Sequence, residues 1–141
     1  MDNPNKMQDL KLAPSIDVAK YAIRTLLKKL AKDVKLIYVR ETTVLADYYV
    51  VATGRSPNHL RALARDTEDA MALCGIPMRN IEGADGGEWV LVDFGDVILH
   101  LFGREAREFY RFERLFDEKN FLSYDDVVAE LDKEMSVTTN D

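Results

Sequence analysis

The chain has 141 residues, 47% of them hydrophobic and 31% charged, and a formal net charge of −6. That balance excludes a disordered, fibrous or collagenous polymer and fits one domain, long enough to bury roughly 68% of the surface its unfolded form exposes. A single cysteine, Cys74, excludes an internal disulfide and a multi-cysteine zinc site, and no apolar run approaches the ~18 residues of a spanning helix, so the cytosol is the expected compartment.

Residues 1–14 carry no apolar run of the signal-peptide kind and read as a flexible lead-in. Ile16, Ala19, Ile23, Leu26, Leu27 and Leu30 then recur at helical spacing, which predicts a helix over 16–32 with Ser15 as its N-cap. Two β-branched and aromatic runs, 34–40 and 44–53, read as strands around Glu41-Thr42-Thr43. Ser56-Pro57 supplies an N-cap and a proline at the first helical position, opening a second helix that stops at Gly75. A short strand over 78–82, a glycine loop over 83–87 and two strands, 88–94 and 97–102, follow. The last firm helix is predicted over 104–116, with Ala106, Phe109, Phe112 and Phe116 on one face and Arg107, Arg111 and Arg114 off it. Tyr124 to Met135 can form a short helix, but its acidity predicts loose attachment or disorder for residues 118–141. The fold class is therefore α/β: a single domain over 15–117 with a mixed five-stranded sheet and flanking helices.

The stretch Glu88 to Phe102 carries the most information. A two-residue turn at Gly95-Asp96 fixes the register so that Phe94 faces Val97, Val92 faces Leu99 and Val90 faces Leu101. These six share a wholly apolar face, which belongs in the core. The opposite face pairs Asp93 with Ile98, Leu91 with His100 and Trp89 with Phe102. A carboxylate and an imidazole among aromatic and aliphatic residues have the composition of a docking patch. A covering helix and a buried partner for His100 are the competing reading.

Catalytic signals are sparse. Gly54-Arg55-Ser56 lies between a strand and a helix, where backbone N–H groups can hold phosphate, but a serine before proline is equally a helix cap. No strand carries the two carboxylates, one residue apart, that would hold magnesium for nucleotidyl transfer. Asp93-Phe94-Gly95 spells a kinase motif without a kinase's other motifs and reads as a turn. His59, His100 and Cys74 show no zinc spacing, and Cys74 sits at an apolar helix position. No cofactor is expected. Lys20, Arg24, Lys28, Lys32 and Lys35 read as a solvated face.

Charge is distributed unevenly. Residues 117–141 hold eight acids against Lys119 and Lys133, whereas residues 1–116 hold 17 of each sign. No basic footprint of the usual nucleic-acid-binding kind emerges from this count, so contact with protein rather than RNA is expected.

Four blocks in order resemble the ribosomal silencing factor, or Iojap-like, family: Asp47 to Ser56 (DYYVVATGRS), Glu82-Gly83, Trp89 to Phe102, and Arg107 to Glu113 (REFYRFE). The resemblance spans residues 15–117. It implies a nucleotidyltransferase-like topology without catalytic acids and a non-enzymatic translational repressor, usually a homodimer. Such a repressor binds the large ribosomal subunit through its fourteenth ribosomal protein and blocks small-subunit joining. A large-subunit assembly factor is the nearest alternative, and a nucleotide-binding enzyme a more distant one. With the hairpin face, the resemblance points to Trp89, Leu91, His100 and Phe102 as packing contacts. Glu82, Asp93 and Asp96 would meet basic groups, with Tyr110 at the border, while Arg107 and Glu113 would tie the last helix to the sheet. Phe112 stands where the family often has leucine and Phe116 where it often has tryptophan.

Overall fold

Segments of helical period alternate along the chain with β-branched runs, and the computed structural model, which describes residues 9–139, turns them into four helices and six strands. Helix α1 (Ser15–Lys28) leads to β1 (Lys32–Tyr38) and β2 (Tyr48–Gly54), and α2 (Pro57–Leu73) crosses to β3 (Asn80–Glu82). Strands β4 (Trp89–Asp93) and β5 (Val97–Gly103) form the central hairpin, followed by α3 (Arg104–Tyr110). A short strand β6 (Phe121–Leu122) and α4 (Asp125–Thr139) end the described chain.

The sheet order is β3-β4-β5-β2-β1-β6, with β2 parallel to β5 and every other neighbour antiparallel. Its α1/α2 face holds the larger core, where Leu36, Val50, Ala52, Val90, Val92, Leu99 and Leu101 meet Ile23, Leu26, Leu60, Leu63 and Met71. Cys74 is buried in that core. The second face has a smaller core of Ile37, Val39, Val51, Ile98, Phe102 and Phe112.

Several boundaries differ from the sequence reading for identifiable reasons. The sheet has six strands, not five, because Phe121-Leu122 adds to the free edge of β1 with Leu36 opposite Leu122. Helix α1 ends at Lys28, where Leu30 adopts a left-handed conformation (φ 69°) and closes the helix. Ser15 is its first helical residue, not its cap, and its hydroxyl donates to Asp47 Oδ2 at 2.8 Å. Strand β2 starts at Tyr48 because Thr42 and Thr43 turn back onto the Val39 carbonyl, leaving Val44 and Leu45 exposed. The helix predicted over 104–116 breaks at Arg111, which is left-handed, and continues as a 3-10 turn over Phe112–Leu115. Phe109 therefore points to solvent and Phe112 inward, rather than sharing one face.

Residues 118–139 are also placed differently from the loose tail anticipated. The Tyr124 hydroxyl donates to the Val34 carbonyl at 2.7 Å, Val127 is buried, and α4 lies along α1. Lys20 and Arg24, read as part of a solvated face, meet Asp126 at 3.0 Å and Glu134 at 2.5 Å. Of the lead-in, residues 1–8 lie outside the described residues, and Leu10 is buried with its N–H on the Cys74 carbonyl.

Candidate functional site

The β4–β5 hairpin has the register its sequence dictates: Trp89 opposite Phe102, Val90 opposite Leu101, Leu91 opposite His100, Val92 opposite Leu99 and Asp93 opposite Ile98. Gly95 at φ 94° permits the tight turn, which Asp93 closes by accepting the Gly95 N–H on Oδ1 at 2.7 Å. The even-numbered residues of β4 lie in the helix-covered core, so Trp89, Leu91 and Asp93 look out from the opposite face.

Cross-strand pairing extends this face over the sheet. One row runs Glu82, Leu91, His100, Val51, Lys35, and the next runs Trp89, Phe102, Thr53. What lies over the centre is a single turn of chain rather than a long helix. Left-handed Arg111 reverses the backbone after α3 and sets Phe112 over the sheet, its ring 4.5 Å from His100, 5.5 Å from Trp89 and 5.9 Å from Tyr49. Trp89 stacks on Phe102 at 4.7 Å and meets Tyr110 at 5.1 Å, and Phe116 edges onto Tyr49 at 5.7 Å. The middle of the face is therefore covered, by a turn rather than a helix, and its β3–β4 margin is open.

The residues singled out from sequence divide accordingly. Phe102 and His100 are buried and form the floor. Trp89, Leu91 and Asp93 are half-buried, and Glu82, Asp96 and Tyr110 are exposed. His100 is held by Trp89, whose Nε1–H donates to Nδ1 at 3.2 Å, placing the imidazole proton on Nε2. That Nε2 has no hydrogen-bond partner among the described residues, and burial pushes the ring's pKa from its ordinary 6.5 down to about 4. The imidazole is thus a neutral, mostly apolar support for Trp89.

Arg107 anchors α3, donating through Nε to Glu113 Oε1 at 2.7 Å and through Nη1 to Thr53 Oγ1 on β2 at 2.8 Å. Tyr49, within the face, and Phe112, which covers it, were not among the contacts expected there; the sequence reading put Phe112 on the apolar side of a longer helix. Alternation along β2 puts Tyr49, Val51 and Thr53 on one side and was sufficient to find Tyr49. The reversal at Arg111 has no comparable signal, since arginine is not a residue that left-handed backbone favours.

The turn Gly54-Arg55-Ser56 behaves as a cap. Ser56 Oγ accepts the His59 N–H at 3.0 Å, and His59 Nδ1 accepts the Arg55 N–H at 3.0 Å. Two donors that a phosphate would need are already engaged. Gly54 is needed for packing, since a Cβ there would lie 2.8 Å from Leu60 Cδ2. Among the described residues, no three histidine, cysteine or carboxylate side chains are grouped to hold a metal ion. Among the described residues, no helix is long and apolar enough to cross a membrane.

The chain is similar to known proteins over most of its length. The Ribosomal silencing factor RsfS of Bacillus subtilis is 33% identical over 97 residues, covering 69% of this chain and 82% of that one. The mouse Mitochondrial assembly of ribosomal large subunit protein 1 is 33% identical over 104 residues, 72% of this chain and 44% of its own length. A crystal structure of a Chromobacterium violaceum protein superposes with a TM-score of 0.69 at 34% identity, covering 71% of this chain and 83% of that one. The family described as Ribosomal silencing factor during starvation matches residues 13–141, far beyond the hairpin alone, and the chain belongs to that family.

Proposed function

We propose that this protein represses translation in the cytoplasm by docking on the large ribosomal subunit through its fourteenth ribosomal protein, so that its bulk blocks small-subunit joining. The observation that carries this reading is the open margin of the second sheet face. Trp89 and Leu91 are half-buried on an aromatic floor, with exposed Glu82 opposite Leu91 and exposed Asp96 at the hairpin turn. Rigid aromatic anchors inside a charged rim are what protein-binding hot spots consist of, and acidic rims suit basic ribosomal proteins. Asp93 contributes less than the sequence suggested, because one carboxylate oxygen is engaged by the turn. The family resemblance supports a homodimer and a nucleotidyltransferase-like ancestry without enzymatic activity, and the parallel strands β2 and β5 carry no carboxylate.

Co-sedimentation with isolated large subunits, small subunits and intact ribosomes tests the reading. Binding to free large subunits alone is expected. Trp89→Ala should weaken it by about 2 kcal/mol, roughly thirtyfold, while the variant keeps its fold. Unchanged affinity in the folded variant would remove the face from the argument. A large-subunit assembly role is the second reading, favoured by the name of the mouse relative. It uses the same face, and the two separate by whether the protein sediments with immature or mature large subunits.

A further inference from the structure

Among the described residues, basic side chains gather beside α3. A cavity of about 620 Å³ opens beside α3, and five cations line it: Lys35, Arg104, Arg107, Arg111 and Arg114. Three carboxylates share the lining, Asp33, Glu108 and Glu113, so the cavity keeps an excess of two positive charges in a chain of net −6. Glu113 is committed to Arg107 at 2.7 Å. Arg104, Arg111, Arg114 and Lys35 have no ion pair among the described residues. The backbone concentrates them, because left-handed Arg111 sends Phe112 into the aromatic floor and leaves Arg111 and Arg114 at the cavity.

We infer that this cavity is a phosphate site, and that it takes one or two phosphodiesters of an RNA backbone. Every lining side chain is charged or, for Thr53, hydroxylic. Guanidinium groups dominate what the cavity offers, so the ligand is recognised chiefly by its anionic oxygens. Arginine forks match phosphate in two-point geometry, and an excess of two charges balances one or two diesters. The cavity and the Trp89 margin belong to the same sheet face, since Lys35 and Thr53 end the rows that begin at Glu82 and Trp89. The inference rests on the docking reading for its setting: with Trp89 on protein, the arginines reach RNA beside it.

The experiment compares the full chain with Arg111→Gln/Arg114→Gln, and with Arg61→Gln/Arg65→Gln, which removes the same charge from the exposed side of α2. Large-subunit affinity is measured across a salt series. The cavity variant should bind about tenfold more weakly at ~0.1 M salt and show a log–log salt slope smaller by about one, whereas the α2 variant keeps the parent's values. Equal affinity and slope in the folded cavity variant overturn the inference. A second arm titrates a uridine oligonucleotide at low salt and needs no ribosome, so failure of the docking reading leaves it intact. Binding lost only in the cavity variant supports the site. No binding by the parent chain, or competition by polyglutamate as effective as by RNA, overturns it.

Discussion

His100 shows how one residue sets the character of the face. Its Nδ1 holds the Trp89 indole at 3.2 Å, and its other nitrogen is buried against Tyr49 and Phe112, whose rings lie 4.5 Å away. Burial favours the neutral ring, with a pKa lowered from 6.5 to about 4, so the unfolded chain takes up the proton first as pH falls. Stability present above pH 6.5 is therefore lost between 6.5 and about 4, on the order of 3 kcal/mol in all. His100→Phe, which cannot titrate, should flatten that part of the acid-unfolding profile relative to the parent chain in denaturant titrations from pH 7 to pH 4. Parallel profiles would show that His100 is not the group responsible. Much of this environment was legible beforehand, because alternation from a glycine turn fixes which side chains share a face. The identity of the covering ring was not, since Phe112 reaches the sheet only through a backbone reversal that no local pattern announces.

Helix ends show the same division at the scale of elements. Helix α2 closes with Gly75 left-handed at φ 87°, its N–H on the Ala72 carbonyl and the Ile76 N–H on the Met71 carbonyl. Helix α1 closes with the same pair of bonds, Leu30 to Leu27 and Ala31 to Leu26, but puts leucine in the left-handed position. A Cβ there is strained, and the Leu30 side chain is exposed, so it provides little packing in return. Leu30→Gly should raise stability by about 0.5–1 kcal/mol, read as a higher denaturant midpoint with an unchanged slope. A lower midpoint would mean that the leucine packs in a way its exposure hides. The stop at Gly75 was readable and the stop after Lys28 was not, because leucine carries the helix-continuing signal there. Likewise Arg104 to Phe116 reads as one amphipathic helix, and tertiary packing of Phe112 against the sheet overrides that period after Tyr110.

Over the whole molecule, charge asymmetry concealed both the role of the C-terminal segment and the basic cavity. Counting acids after Asp117 suggested a solvated appendage, yet β6 closes the free edge of β1 and α4 seats Tyr124 and Val127 against α1 and Val34. Two ion pairs to Lys20 and Arg24 accompany that seat, but they are partly exposed and hold it weakly compared with buried apolar contacts. Removing residues 118–141 should therefore destabilise the domain rather than release a passive tail. Tyr124→Phe, which deletes only the hydroxyl bond to the Val34 carbonyl, should cost about 1 kcal/mol, and Val127→Ala a similar amount from its small cavity. Truncation should exceed either, and raising salt to ~0.5 M should change the parent chain little, because screening acts only on the exposed pairs. Thermal unfolding of the four proteins at two salt concentrations decides the matter. Equal midpoints for parent and truncated chains would return the segment to the status of an appendage. A large loss confined to high salt would make the ion pairs, rather than Tyr124 and Val127, the attachment.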